Sequence, residues 1–165
     1  MKILVCGLPG SGKTWLAERL VKHFENCAWY NADVLRKCSN DWDFSLEGRT
    51  RQANRMKTFA DFERSNGRWV ICDFVAPTNK AREAFAADFV IWLDTISQGR
   101  VVSSKINELK NIKNLPFDAD TLFSSKAFED TNKMFEPPKK VDKHITRFLS
   151  NDDIKKIAKK IQLNV

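Results

Sequence analysis

The sequence predicts an α/β domain, a parallel β-sheet covered by helices on both faces, and three observations lead there. Short apolar runs alternate with helix-period stretches from one end of the chain to the other. A glycine-rich turn, Gly7-Leu8-Pro9-Gly10-Ser11-Gly12-Lys13-Thr14, joins the first apolar run to the first helical pattern. The 165 residues, 42% of them hydrophobic, suit one domain with a core of its own, so residues 1–165 are read as a single domain.

Taken in order, the strands fall at Lys2–Cys6, Cys27–Tyr30, Trp69–Cys72, Val90–Leu93 and His144–Phe148, runs rich in β-branched and aromatic residues. Between them, Leu16, Leu20 and Phe24 recur at helical spacing over Lys13–Phe24, and further helices are predicted over Glu47–Ser65, Asn79–Ala86 and Asp152–Ile161. Ser150 and Asp153 have the spacing of a capping box for the last of these, each side chain satisfying an otherwise orphaned amide. The stretch from Gln98 to Lys140 fits the alternation least. It carries Arg100, Lys105, Lys110, Lys113, Lys126, Lys133, Lys139 and Lys140, and it contains Pro137-Pro138. It is read as a lid of about 98–140; the alternative is a solvated amphipathic helix with Val102, Ile106 and Leu109 turned inward.

Composition narrows the function classes. No apolar stretch is long enough to cross a bilayer and no basic leader precedes the first strand, so a cytoplasmic protein without a membrane partner is expected, in a host's cytoplasm if the chain is viral. Cys6, Cys27, Cys38 and Cys72 show no Cys-x-x-Cys spacing, which suits a reducing compartment, and His23 and His144 lack ligand-like neighbours, which argues against zinc. The net charge of +7 suits nucleic acid and phosphate-rich small substrates alike.

The eight residues Gly7–Thr14 make a complete G-x-x-x-x-G-K-T, placed after a strand and before a helix as that motif requires. Its glycines let successive N–H groups curl inward into an anion nest at the positive end of the following helix, a cradle for the phosphates of ATP. Lys13 supplies a charge for the outer phosphates, and the Thr14 hydroxyl can join the coordination of a bridging Mg2+. At the end of the second strand stands Asn31-Ala32-Asp33-Val34-Leu35-Arg36. A carboxylate at Asp33 can hold an acceptor hydroxyl or a magnesium-bound water, and Arg36, three residues on, offers a forked donor to an anionic acceptor if the chain is helical there. The blander alternative is a helix-capping aspartate with an exposed arginine. Asp73 closes the third strand, where an acid can position the metal or its water. Lys13, Asp33 and Asp73 are thus the candidate catalytic residues, and Thr14 and Asp33 the candidate metal ligands.

Gly7–Thr14, Asn31–Arg36, Phe44-Ser45, Arg49 and Pro77 recur in the same order in adenylylsulfate kinases, and this chain resembles that family, especially the short versions carried by tailed phages. The resemblance runs to about Pro77 and returns at Lys126-Ala127-Phe128 and Phe135-Glu136-Pro137. It implies a three-layer P-loop fold with strand order 2-3-1-4-5, often dimeric. It also implies ATP- and Mg2+-dependent phosphorylation of the ribose 3′-hydroxyl of adenosine 5′-phosphosulfate, in sulfate assimilation. Gly7, Pro9, Gly10, Ser11, Gly12, Lys13, Thr14 and Trp15 would then meet the nucleotide. Asp33, Arg36, Phe44, Arg49, Gln52, Lys126 and Phe128 would meet the acceptor, Phe44 and Phe128 by stacking on its adenine. An aromatic ring and an arginine fork suit a base and a sulfate on physical grounds as well.

The chain departs from the family pattern at several positions. Asn31-Ala32 stands for Asp-Gly, Trp15 for a small hydroxyl residue, Gln52 for an asparagine and Asp73 for a serine. A carboxylate at the position of Asp73 is similar to 5′-hydroxyl polynucleotide kinases. A nucleic-acid acceptor, with Trp29 or Trp42 as stacking platforms, therefore stays open as the second reading. A nucleotide-binding module without transfer activity is the third, and the intact Lys13, Thr14 and Asp33 speak against it.

Overall fold

The computed structural model describes residues 1–97 and 125–164, with the backbone course alone at Ser125 and Lys126. In chain order these form β1 (Lys2–Gly7), α1 (Lys13–Leu20), β2 (Cys27–Asn31), α2 (Ala32–Ser39), α3 (Leu46–Ser65), β3 (Trp69–Asp73), α4 (Asn79–Phe85), β4 (Phe89–Leu93), α5 (Ser125–Met134), β5 (Lys143–Ile145) and α6 (Asn151–Gln162). The five strands make one parallel sheet in the order β2-β3-β1-β4-β5. This is the order that the resemblance implies.

Alternation along the buried strands divides the core in two. Ile3 and Val5 of β1, with Ile91 and Leu93 of β4, pack against Leu16 and Leu20 of α1 and Ile154, Ile157 and Ile161 of α6. Leu4, Cys6, Val70 and Cys72 point the other way, onto Met56 and Ala60 of α3 and Phe85 of α4. The sheet is therefore the middle of three layers. Burial pushes the Cys6 and Cys27 thiols up to about 11, so these cysteines behave as small core hydrophobes.

Most differences from the sequence prediction lie at element ends. The first helix passes into a 3-10 turn over Val21–His23, because Phe24 turns extended and is buried in the core. The last strand is Lys143–Ile145 and not His144–Phe148: beyond Ile145, Arg147 turns to pair with Asp153 of α6, leaving Phe148 74% exposed. The capping box is present as expected, with Ser150 Oγ accepting from the Asp153 N–H and Asp153 accepting from the Ser150 N–H. Within the stretch read as a lid, Ser125–Met134 is helical; Gln98–Ser124, including Arg100, Val102, Ile106 and Leu109, lies outside the described residues.

Candidate active site

The carboxyl ends of β1, β2 and β3 converge where the sequence predicts, since parallel strands deliver their following loops to one edge of the sheet. The turn after β1 is held open from inside. Gly7 has φ +149°, and a Cβ there would come within 2.3 Å of the Leu93 carbonyl, so only glycine fits. Gly10 and Gly12 have φ +87° and +97°. Gly12 caps α1 without a side chain, leaving the first-turn N–H groups to an incoming anion. Ser11 is 1% exposed, with its hydroxyl unpartnered among the described residues, and its carbonyl accepts from Thr95 Oγ1 at 2.8 Å. Lys13 Nζ donates to the Leu8 carbonyl at 2.9 Å, arching over the loop. Glycine backbone, orphaned hydroxyl, helix N-terminus and lysine fit a nucleotide triphosphate chain.

Beside the cradle lies a buried polar cluster. Asp73 is 2% exposed and accepts from Thr14 Oγ1 and Asn31 Nδ2 at 2.8 Å each and from Trp29 Nε1 at 2.7 Å. Burial pushes its carboxyl above the ordinary value, while these three donors and the Lys13 charge oppose that. A carboxylate that accepts three hydrogen bonds is held as an acceptor. The Thr14 hydroxyl donates to Asp73 and accepts from Asn31 Nδ2 at 3.1 Å, which leaves one oxygen lone pair to offer a cation. Among the described residues no group of three acidic, histidine or cysteine side chains could cage a metal alone. That donor set fits Mg2+, which keeps most of its shell as water and phosphate.

A pocket of about 400 Å3 lies between α2, α3, the loop after β3 and α4. Asp33, Arg36, Phe44, Arg49 and Gln52 all line it, as do Phe74, Pro77 and Met134. Asp33 is exposed in the first turn of α2, where the helix dipole favours a carboxylate. The cap of α2 is Asn31, whose Oδ1 accepts from the Val34 N–H at 3.0 Å, so Asp33 is not the capping residue. Nor is Arg36 exposed. It is 5% exposed, donates to the carbonyls of Asp41 and Asp43 at 2.9 and 3.1 Å, and stands 4.5 Å from the centre of the Phe44 ring. Burial lowers its pKa from the ordinary value, as it does for Arg49. Arg49 donates from Nε to the Phe44 carbonyl at 2.8 Å and from Nη2 to the Ala127 carbonyl of α5 at 3.0 Å. Gln52 is buried with its amide between the Ala32 carbonyl and Arg55.

Other candidates sit differently. Trp15 is 40% exposed with the Arg19 guanidinium 4.2 Å from its ring, at the surface beside the cradle. Phe128 is half-buried on α5, but it is Met134 of that helix that lines the pocket. The side chain of Lys126 lies outside the described residues. Trp29, a candidate stacking platform for a nucleic acid, packs against the α1 side of the core and uses its N–H on Asp73. Sequence reasoning missed Asn31 as a site residue. Its sequence signals are a capping residue at a strand end, three residues before Val34, and its place at the head of the Asn31–Arg36 stretch.

Comparison with known proteins gives the family and the fold. The family model described as adenylylsulphate kinase matches residues 1–145. A probable adenylyl-sulfate kinase of Aeropyrum pernix is 36% identical over 89 residues, 48% of this chain and 46% of that protein, so the match spans about half the length of the curated relative. Among solved structures, one described as APE1195 superposes with a TM-score of 0.75 at 22% identity, covering 98% of this chain and 94% of the other. The Mycobacterium tuberculosis APS kinase CysC, solved with AMPPNP and APS, gives 0.63 at 20% identity, over 99% and 96%. Shikimate kinase of Aquifex aeolicus gives 0.56 at 14%, over 99% and 98%, so the fold alone does not choose the acceptor. With its phosphate cradle, its parallel sheet and a family match over nearly its whole length, the chain belongs to the adenylylsulphate kinase family.

Proposed function

We propose that this protein transfers the terminal phosphoryl group of ATP to the 3′-hydroxyl of adenosine 5′-phosphosulfate. The observation that carries the reading is the acceptor-side pocket, which combines an aromatic wall with two half- to fully buried arginines beside an exposed aspartate. Phe44 and the apolar side chains after β3 suit a base, Arg36 and Arg49 suit a divalent anion, and Asp33 lies on the same wall to take the hydroxyl.

In this reading Gly7–Thr14 bind and orient the triphosphate. Lys13 leaves the Leu8 carbonyl for the outer phosphate oxygens. Asp33 orients the acceptor hydroxyl and receives its proton. Mg2+, held by Thr14 with Asp73 behind it, would supply charge neutralisation at the phosphates. Phosphoryl transfer asks for little covalent help, so alignment and electrostatics supply most of the rate. A soluble homodimer and a place in sulfate assimilation are further parts of the proposal; among the described residues no helix is long and apolar enough to cross a membrane.

The test is label transfer from γ-labelled ATP with magnesium to adenosine 5′-phosphosulfate, with and without Asp33→Asn. Transfer that falls by a factor of about 100 or more in the variant supports the assignment, whereas equal transfer by both proteins contradicts the role of Asp33.

A further inference from the structure

A second group of buried polar contacts lies where the tail of α5 crosses the start of α4. Arg82 is 7% exposed. It donates from Nη1 to the Ala76 carbonyl at 2.5 Å and from Nη2 to the Glu136 carbonyl at 2.6 Å and Asn79 Oδ1 at 3.0 Å. Its guanidinium stands 5.6 Å from the centre of the Phe135 ring. Asn79 completes the set: its N–H and Nδ2 donate to Glu136 Oε2 at 2.8 and 3.1 Å, and its Oδ1 accepts from the Lys139 N–H at 2.9 Å. The Glu136 N–H in turn donates to the Pro77 carbonyl at 2.8 Å.

Both things this cluster joins belong to the acceptor-side pocket. Ala76 and Pro77 form its wall after β3, and Met134 reaches it from α5. Ala76 is buried with φ +43°, a left-handed conformation that an alanine keeps only where its surroundings enforce it. Arg82 supplies that enforcement through the Ala76 carbonyl. The other end of α5 is tied by Arg49 through the Ala127 carbonyl. A half-buried arginine at the start of α5 and a buried one just past its end therefore tie this helix to two parts of one pocket's lining. None of these contacts touches Gly7–Thr14.

We propose that Arg82, with Asn79 and Glu136, is a positioning group for the acceptor, holding the Ala76–Pro77 wall and the tail of α5 as one unit. The proposal rests on the reading of this pocket as the acceptor site. Removing the group loosens the wall and weakens acceptor binding, while the nucleotide cradle, which takes part in none of these hydrogen bonds, keeps its own.

The experiment compares Arg82→Met, Arg82→Lys and Asn79→Ala with the unaltered protein. It measures KM for adenosine 5′-phosphosulfate and for ATP, with amide hydrogen exchange over residues 74–79 and 134–139. Arg82→Met is expected to raise KM for the acceptor about tenfold, leave KM for ATP within about twofold, and speed exchange in both segments together. Arg82→Lys, with a charge but no fork, falls between. Asn79→Ala keeps Arg82 and carries the same split at about threefold, which decides the matter if Arg82→Met does not fold. Equal changes in both KM values, or faster exchange in one segment only, would overturn the proposal. If the unaltered protein transfers nothing to the phosphosulfate, the acceptor reading fails on its own, and the exchange experiment still decides whether the two segments move as one.

Discussion

At Asp73 the chain buries a carboxylate and surrounds it with donors from β2 and α1. Burial raises its pKa, so the acid limb of activity is expected above the ordinary carboxylate value of about 4, with activity falling as pH drops through it. The stability effect has the opposite sign: a raised carboxyl favours the fold below its unfolded value, and that contribution is lost as pH rises through the folded one. A pH–rate profile checks this, and Asp73→Asn should remove the part of the limb that Asp73 contributes, leaving that of Asp33, along with most of kcat. Asp41 behaves conversely. Hydrogen bonds from Arg51 and Arg55 hold it well below the usual carboxylate range, so its stabilising contribution is whole above about pH 4 and fades as pH falls further. Urea midpoints of the unaltered protein and Asp41→Asn should differ at pH 7 and converge toward pH 2. Asp73 was legible as an acid at a strand end. Its partners were not, because the parallel register that sets Asn31 beside Asp73 is a tertiary fact that no local spacing encodes.

Among the elements, the strands and the helices α1 and α6 follow from apolar period, because each turns a face or stripe into the core, whereas α3 gives it only Met56 and Ala60 and α4 only Phe85. The pattern left α2 open. It is short and largely polar, and what starts it is the Asn31 cap. The charge that marked residues 98–140 as a lid also hid α5, which has few apolar positions among its polar and charged ones. Helix α3 carries a less visible requirement. A Cβ on Gly48 would come within 2.2 Å of the Asp43 carbonyl, because the loop bearing Phe44 folds back on the first turn of this helix. Gly48→Ala is expected to lower stability by about 1–3 kcal/mol in urea unfolding and to raise KM for the acceptor more than for ATP. Ser150→Ala, far from the pocket, should cost about 1 kcal/mol through lost capping of α6 and leave both KM values alone.

For the whole molecule, the class of fold could be read from alternation, whereas the strand order 2-3-1-4-5 came from the family resemblance, since hydrophobic period says which face is buried and not which strand is the neighbour. That order puts β1 between β3 and β4, so the phosphate turn after β1 lies beside Asp73. The loop after β3 carries the acceptor-side wall away toward α4. In the proposed reading, nucleotide and acceptor thereby meet at one edge of the sheet. The central claim is that the acceptor is a small adenylyl anion held by Phe44, Arg36 and Arg49. The most direct measurement offers γ-labelled ATP, magnesium and the purified protein two acceptors in parallel, adenosine 5′-phosphosulfate and a 5′-hydroxyl oligonucleotide. The account predicts label on the phosphosulfate, lost in Asp33→Asn and in Lys13→Ala; label on the oligonucleotide instead would contradict it.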